Sequence, residues 1–184
     1  MIPFKQILSI KFIIPLCLII IIGLIFAEGL QRDPSELPSV MIDKPLPSLN
    51  LPNLLTNKTE NLNQALQGQV TLLSIWATWC NVCLVELPAL KQLAEQPEVH
   101  LQSIVYKDSR SRALKWLAQY GNPFTDVWLD ETGEAAIELG VYGTPELYLI
   151  DQHGKIRYRH SGAITEKLIK KQILPLVNQL NQHA

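Results

Sequence analysis

Cysteine is scarce in this chain, three among 184 residues, and only Cys80 and Cys83 lie near each other. No second Cys-x-x-Cys is present, and the four histidines, His100, His153, His160 and His183, form no clustered pair and no recognisable ligand motif. A structural zinc usually takes four ligands, so the sequence argues against such a site. The formal net charge is −1 and no basic block occurs, so nothing points to nucleic acid as a partner. Internal repeats and low-complexity segments are also lacking, which leaves an ordinary globular domain behind an unusual head.

What the chain does have is a Cys-x-x-Cys in an informative place. The apolar run Val70 to Trp76 leads through Ala77-Thr78-Trp79 to Cys80-Asn81-Val82-Cys83, which opens a helix-like segment. A strand that delivers Cys80 to a helix N-terminus puts its sulfur beside unpaired backbone N–H groups and the positive end of the helix dipole. Both favour thiolate, the reactive form. Cys83, one turn on, lies on the same face and can close a ring with Cys80 after a first attack on a substrate disulfide. A dithiol that opens and closes is the functional reading; a static disulfide and half of a zinc site are the bland ones.

The first thirty residues are of another kind. Phe12 to Ala27 carries no charge and is mostly Ile, Leu and Phe, and from Ile7 to Ala27 a helix would reach roughly 31 Å, about one bilayer core, with Lys11 near one end. A cleaved signal peptide competes with an uncleaved anchor, but Ile25-Phe26-Ala27 makes a poor cleavage site. Lys5 and Lys11 precede the span and Glu28 and Asp33 follow it, so the positive-inside tendency puts the remaining domain on the outer, periplasmic side of a bacterial inner membrane. Protein disulfides persist in that oxidising space. Cys17, inside the apolar run, reads as a small packing or lipid-facing residue.

The expected organisation is an anchor at 1–29, a linker at 30–48 and a domain at 49–184. The stretch from 31 to 53 is rich in proline, including Lys44-Pro45-Leu46-Pro47, and becomes an extended arm near Leu49-Asn50-Leu51. Thr56 to Glu60 reads as a turn before a short helix at 61–67, and Gly68 precedes a strand at 70–76. Leu84, Leu87, Leu90 and Leu93 mark an amphipathic helix to Ala94, with Pro88 as a kink. A strand at 99–106 follows, then a helix capped by Ser109 or Ser111 and stopped at Gly121-Asn122-Pro123. A strand near 124–129, a brief helix at 134–139 and a hairpin of 146–150 with 156–161 come next. Thr165 caps a last helix to about Gln179, which Pro175 would kink or end early. This order implies an α/β sandwich, a mixed sheet with helices on both faces.

The stretches Trp76-Ala77-Thr78-Trp79-Cys80-x-x-Cys83, Pro88 five residues later, and Gly140-Val141-Tyr142-Gly143-Thr144-Pro145-Glu146 resemble a thioredoxin-fold protein. With Tyr106-Lys107-Asp108, Trp116-Leu117 through Pro123, and Ile150-Asp151 through His160, the chain more narrowly resembles the membrane-anchored cytochrome c biogenesis thiol-disulfide oxidoreductases of the CcmG/DsbE type, also TlpA-like. The likeness covers roughly residues 40–180.

The resemblance implies that Cys80 is the attacking thiolate and Cys83 the resolving thiol, with Trp79 flanking them. It implies a cis Thr144-Pro145 bond beside the dithiol, where Thr144 and Pro145 would meet an extended substrate segment. Glu86 and Glu146 match positions where the family carries acidic residues near the active site; a nearby carboxylate disfavours a thiolate and would tune the pair towards a reductant. Solvated surface glutamates are the alternative. The implied reaction is reduction of the disulfide of apocytochrome c, or of an assembly protein carrying it, followed by re-reduction by a membrane electron donor of DsbD/CcdA type, with no metal or organic cofactor. Rival readings are a general periplasmic thiol-disulfide oxidoreductase and a non-catalytic docking or metallochaperone subunit. Two departures stand out: Ser74 occupies the strand position where thioredoxin has a buried acid, and Asn81-Val82 stand between the cysteines where the family often has a proline.

Overall fold

The segment Thr71–Trp76 is buried along its whole length, as its largely apolar run leads one to expect of a strand covered on both faces. The computed structural model describes residues 10–30 and 41–182, and Thr71–Trp76 (β3) is its central strand. Five strands form a sheet in the order β5-β4-β3-β6-β7: β4 (His100–Tyr106) and β5 (Val127–Asp130) run parallel to β3, while β6 (Glu146–Ile150) lies antiparallel to β3 and β7 (Ile156–Ser161) antiparallel to β6. A separate two-stranded ladder pairs β1 (Asn50–Pro52) with β2 (Thr59–Asn61).

Alternation along the strands divides the core. Leu72, Trp76, Leu101, Val105, Leu147 and Leu149 pack on one face with α3 (Asn81–Ala94), α4 (Arg110–Tyr120) and the C-terminal helices. Leu73, Ile75, Ile104, Trp128, Tyr148 and Ile150 pack on the other, under α2 (Leu62–Leu66), α5 (Glu134–Glu138) and the arm residues Leu46, Leu49 and Leu51. This is the thioredoxin-like sandwich with a mixed sheet between two layers of helix.

Three details differ from the sequence reading. Residues before 49 are no free linker: Leu46 is buried, Leu46 N–H donates to Gly154 O at 2.7 Å and Asp43 N–H to Ile156 O at 2.7 Å, so the arm is docked on the β6–β7 hairpin from residue 41 onwards. Proline content signals extended backbone, and an extended segment docks as readily as it tethers. Thr59–Asn61 is a strand rather than part of a turn; its polar residues show no alternation, and its antiparallel pairing with Asn50–Pro52 defines it.

The last helix also departs from expectation. Thr165 caps α6 (Glu166–Leu168), its Oγ1 accepting from Leu168 N–H at 3.2 Å, but a π-helical segment, Ile169–Ile173, follows before α7 (Leu174–Gln182). Pro175 lacks an N–H and crowds the carbonyl four residues back; the wider π turn ahead of it lets the helix continue past the proline.

The first unit of the chain, Met1–Glu36, contains α1 (Ile10–Leu30), whose side chains from Ile13 to Phe26 are largely exposed apolar groups. Among the described residues no helix is long and apolar enough to cross a membrane.

Candidate active site

Beyond Trp76 the chain makes a tight turn, closed by Cys80 N–H donating to Ala77 O at 3.2 Å, and then enters α3. Cys80 is the N-cap. Its Sγ accepts from Cys83 N–H at 3.0 Å, taking the place that a serine or aspartate oxygen usually fills, so the sulfur sits where helix N–H groups stabilise negative charge. Cys80 and Cys83 are joined in a disulfide and both are buried, at 7% and 2% exposure. Trp79 stands out beside them at 55% exposure, its Nε1 donating to Lys107 O at 3.2 Å and its ring edge-on to Tyr106. Val82 and Val85, one turn apart on α3, are also exposed, as is Tyr142.

The Thr144-Pro145 peptide bond is cis. Pro145 O accepts from Gly162 N–H at 2.9 Å, and Thr144 Oγ1 is buried without a hydrogen-bond partner among the described residues.

Neither glutamate singled out from the sequence is solvated. Glu146 is 1% exposed and its carboxylate is taken up on every side: Arg159 donates from Nη2 at 2.7 Å and Nε at 3.0 Å, Tyr142 N–H at 2.8 Å, Gly143 N–H at 3.3 Å and Tyr148 OH at 2.9 Å. Burial first, then the Glu146 charge, pushes the Tyr148 hydroxyl well above the ordinary tyrosine range, so it stays a donor. Arg159 also lies 4.5 Å from the centroid of the Tyr142 ring. Glu146 therefore ties down the loop that carries Pro145, with its charge compensated.

Glu86 is different. On α3 one turn past Cys83, it is 2% exposed; Oε2 accepts from Ile164 N–H at 3.0 Å, and Oε1 is buried with no partner among the described residues. Burial pushes its pKa from 4.5 up to about 7, with the Ile164 hydrogen bond pulling the other way.

A model of the Redoxin family matches residues 41–173 of the chain. The thiol:disulfide interchange protein DsbE of Pseudomonas aeruginosa is 40% identical over 168 residues, covering 91% of this chain and 93% of that protein. DsbE of Escherichia coli is 39% identical over 161 residues, covering 86% and 84%. The chain belongs to the DsbE family of thiol:disulfide interchange proteins. Among solved structures, that of a protein assigned as DsbE in Chlorobium tepidum superposes with a TM-score of 0.67 at 26% identity, over 76% of this chain and 99% of that one.

For a DsbE-family protein the chemistry follows from the pair itself: a protein disulfide is exchanged against the Cys80–Cys83 dithiol. The sequence singles out the sulfurs, Trp79, the Thr144-Pro145 loop and both glutamates, but gives no role to two residues that the structure brings to the same region. Arg159 was legible in principle, because β7 pairs it with Tyr148 and so places it diagonal to Glu146. Asp108, two residues past the end of β4, is noted only within the stretch Tyr106-Lys107-Asp108; it meets the active-site turn through the parallel pairing of β3 and β4.

Proposed function

We propose that this protein reduces the disulfide of apocytochrome c, or of an assembly protein that carries it, on the periplasmic side of a bacterial inner membrane, so that haem can be attached to free thiols. The observation that carries the direction of the reaction is Glu86. A buried carboxyl one turn beyond Cys83, with no ion pair among the described residues and half ionised near neutrality, opposes a second negative charge in the same buried strip and can take up the proton that Cys83 must lose. Such surroundings suit a dithiol that gives electrons away rather than one held as a stable thiolate.

In this scheme Cys80 thiolate attacks one sulfur of the client disulfide, and the client's other sulfur leaves as a thiolate and takes up a proton. Cys83 gives up its proton and attacks Cys80 Sγ, which breaks the mixed disulfide and frees the client's second sulfur. The client has gained two electrons and two protons, and the protein is left as the Cys80–Cys83 disulfide. A membrane dithiol donor of DsbD/CcdA type then returns it to the reduced form. No metal or organic cofactor enters these steps. Thr144 and Pro145 lie against an extended client segment, while Trp79, Val82 and Tyr142 offer the exposed apolar rim that an unfolded client would meet.

Anchoring belongs to the same proposal. Residues 1–29 would hold the protein to the bilayer, a reading supported by the charge-free run Phe12 to Ala27 in the sequence and by the exposed apolar side chains from Ile13 to Phe26.

A Cys83→Ser variant lacks the resolving thiol and stops at the mixed disulfide. Expressed in cells making c-type cytochromes, it is expected to trap apocytochrome c or one assembly partner as the dominant adduct on non-reducing gels. A broad ladder of unrelated secreted proteins would overturn the assignment in favour of a general oxidoreductase.

A further inference from the structure

The turn that presents Cys80 has two central residues, Thr78 and Trp79, and each is fastened to the corner where β4 passes into α4. Asp108, 4% exposed, accepts through Oδ2 from Thr78 N–H at 2.8 Å and from the Thr78 hydroxyl. Its Oδ1 accepts from Ser109 N–H at 2.8 Å and Arg112 Nε at 2.7 Å. Trp79 Nε1 reaches Lys107 O. Lys107 itself has a positive φ of 46°, a conformation that costs a non-glycine residue energy, and its N–H is tied to Asp130 O at 2.8 Å. Buried anionic acceptors with four donors are strong, directional anchors. Burial alone would push the Asp108 carboxyl up, yet the hydrogen bonds from Thr78, Arg112 and Ser109 outweigh it and hold it below its ordinary range, so it remains ionised at neutral pH.

We propose that Asp108 is a positioning residue of the redox centre, which acts through Thr78 to hold the turn so that Cys80 faces Cys83 and caps α3. The inference rests on Cys80 and Cys83 being the working pair. Ring closure between two thiols depends on how often they meet in the right orientation. A pinned turn raises that frequency and favours the disulfide; a loosened one lets Cys80 swing away from Cys83 N–H and leaves the dithiol easier to keep.

Thr78→Val tests this, since it removes one hydroxyl, keeps the volume and leaves the Asp108 charge in place. With the purified protein equilibrated in glutathione redox buffers, the variant is expected to shift roughly tenfold towards the dithiol, the size expected for one lost hydrogen bond to a charged group. Release of a model peptide from its mixed disulfide should slow by a similar factor. Thr78→Ser, which restores the hydroxyl, should return both readings to within about twofold of the parent. A folded Thr78→Val variant with an unchanged equilibrium would overturn the proposal. These readings need no natural client. A parent protein that cycles normally while Thr78→Val has no effect refutes the positioning role alone, whereas a parent dithiol that fails to cycle refutes the reading it rests on.

Discussion

An Arg159→Met variant is expected to lose about 3–5 kcal/mol of folding stability, about a fifth or more of the ~5–15 kcal/mol that a domain usually has. Methionine keeps most of the buried volume, so the loss measures the charge left behind. The Glu146 side chain is 0% exposed and that of Arg159 only 4%, so water cannot replace the guanidinium. Tyr142 N–H, Gly143 N–H and Tyr148 OH still donate to the carboxylate and keep the loss from growing further. A double variant, Arg159→Met with Glu146→Gln, removes the stranded charge as well and should recover at least half of the loss, since the cost of a broken buried pair lies mainly in the uncompensated partner. Urea unfolding of parent, single and double variants, compared at equal slope, reads all three values. A loss below about 1 kcal/mol in the single variant would mean that the pair is no more than a surface ion pair in its energetics. The consequence for the site is local: Tyr142 and Gly143 precede the Thr144-Pro145 step, and a Glu146 that turns away takes their anchor with it.

The elements that the sequence announced most clearly are those with a simple period or a strong stop signal. The β6–β7 hairpin, at Glu146–Ile150 and Ile156–Ser161, matches the expected strands, because its apolar runs are separated by a turn rich in Asp and Gly. The cap at Ser109 was one of two candidates, and the structure selects it through the Arg112 N–H that its Oγ accepts. What escaped notice was pairing between segments distant in sequence. Nothing in Thr59-Glu60-Asn61 says strand until Asn50-Leu51-Pro52 lies alongside, and the docking of Leu46 needs the β6–β7 hairpin to be in place.

The site followed the same rule. Cys80 and Cys83 are legible because their chemistry is carried by adjacent residues on one helix turn. Glu86 was visible as a carboxyl on that helix, but the sequence could not say that the face it occupies is the buried one. Glu146 was visible beside Pro145, but its meaning changed once Arg159 arrived from the next strand: a carboxylate expected to bear on the sulfurs is engaged by a cation, two backbone N–H groups and a tyrosine. Two glutamates that looked equivalent thus divide the work, one holding a loop and the other left as an uncompensated acid. Ser74, in the place of thioredoxin's buried acid, is buried with no hydrogen-bond partner for its hydroxyl among the described residues. The acid on this face of the domain comes from the helix at Glu86 instead of from the strand.

That difference makes Glu86→Gln the second large effect, with a sign that depends on pH. Below about pH 4.5 the carboxyl is protonated in both folded and unfolded chains, so the substitution should leave stability nearly unchanged. Between 4.5 and about 7 the unfolded chain gives up its proton before the folded one does, and the parent loses stability as pH rises. Above about 7 the penalty is complete, on the order of 3 kcal/mol, and the glutamine variant should be the more stable protein by about that amount. Asp108 titrates in the opposite sense, lending stability that is lost as the pH falls through its depressed pKa, but it is common to both proteins and cancels in their difference. Unfolding measured for parent and variant at pH 4, 6 and 8.5 separates the cases. A difference that stays constant across that range would show that Glu86 does not titrate near neutrality, and the proton-accepting role given to it beside Cys83 would fall with that result. A difference that opens between pH 4 and 8.5 would mean that the protein maintains a destabilising acid one turn from its sulfurs, which is the expected cost of keeping a proton acceptor poised for the thiol that closes the cycle.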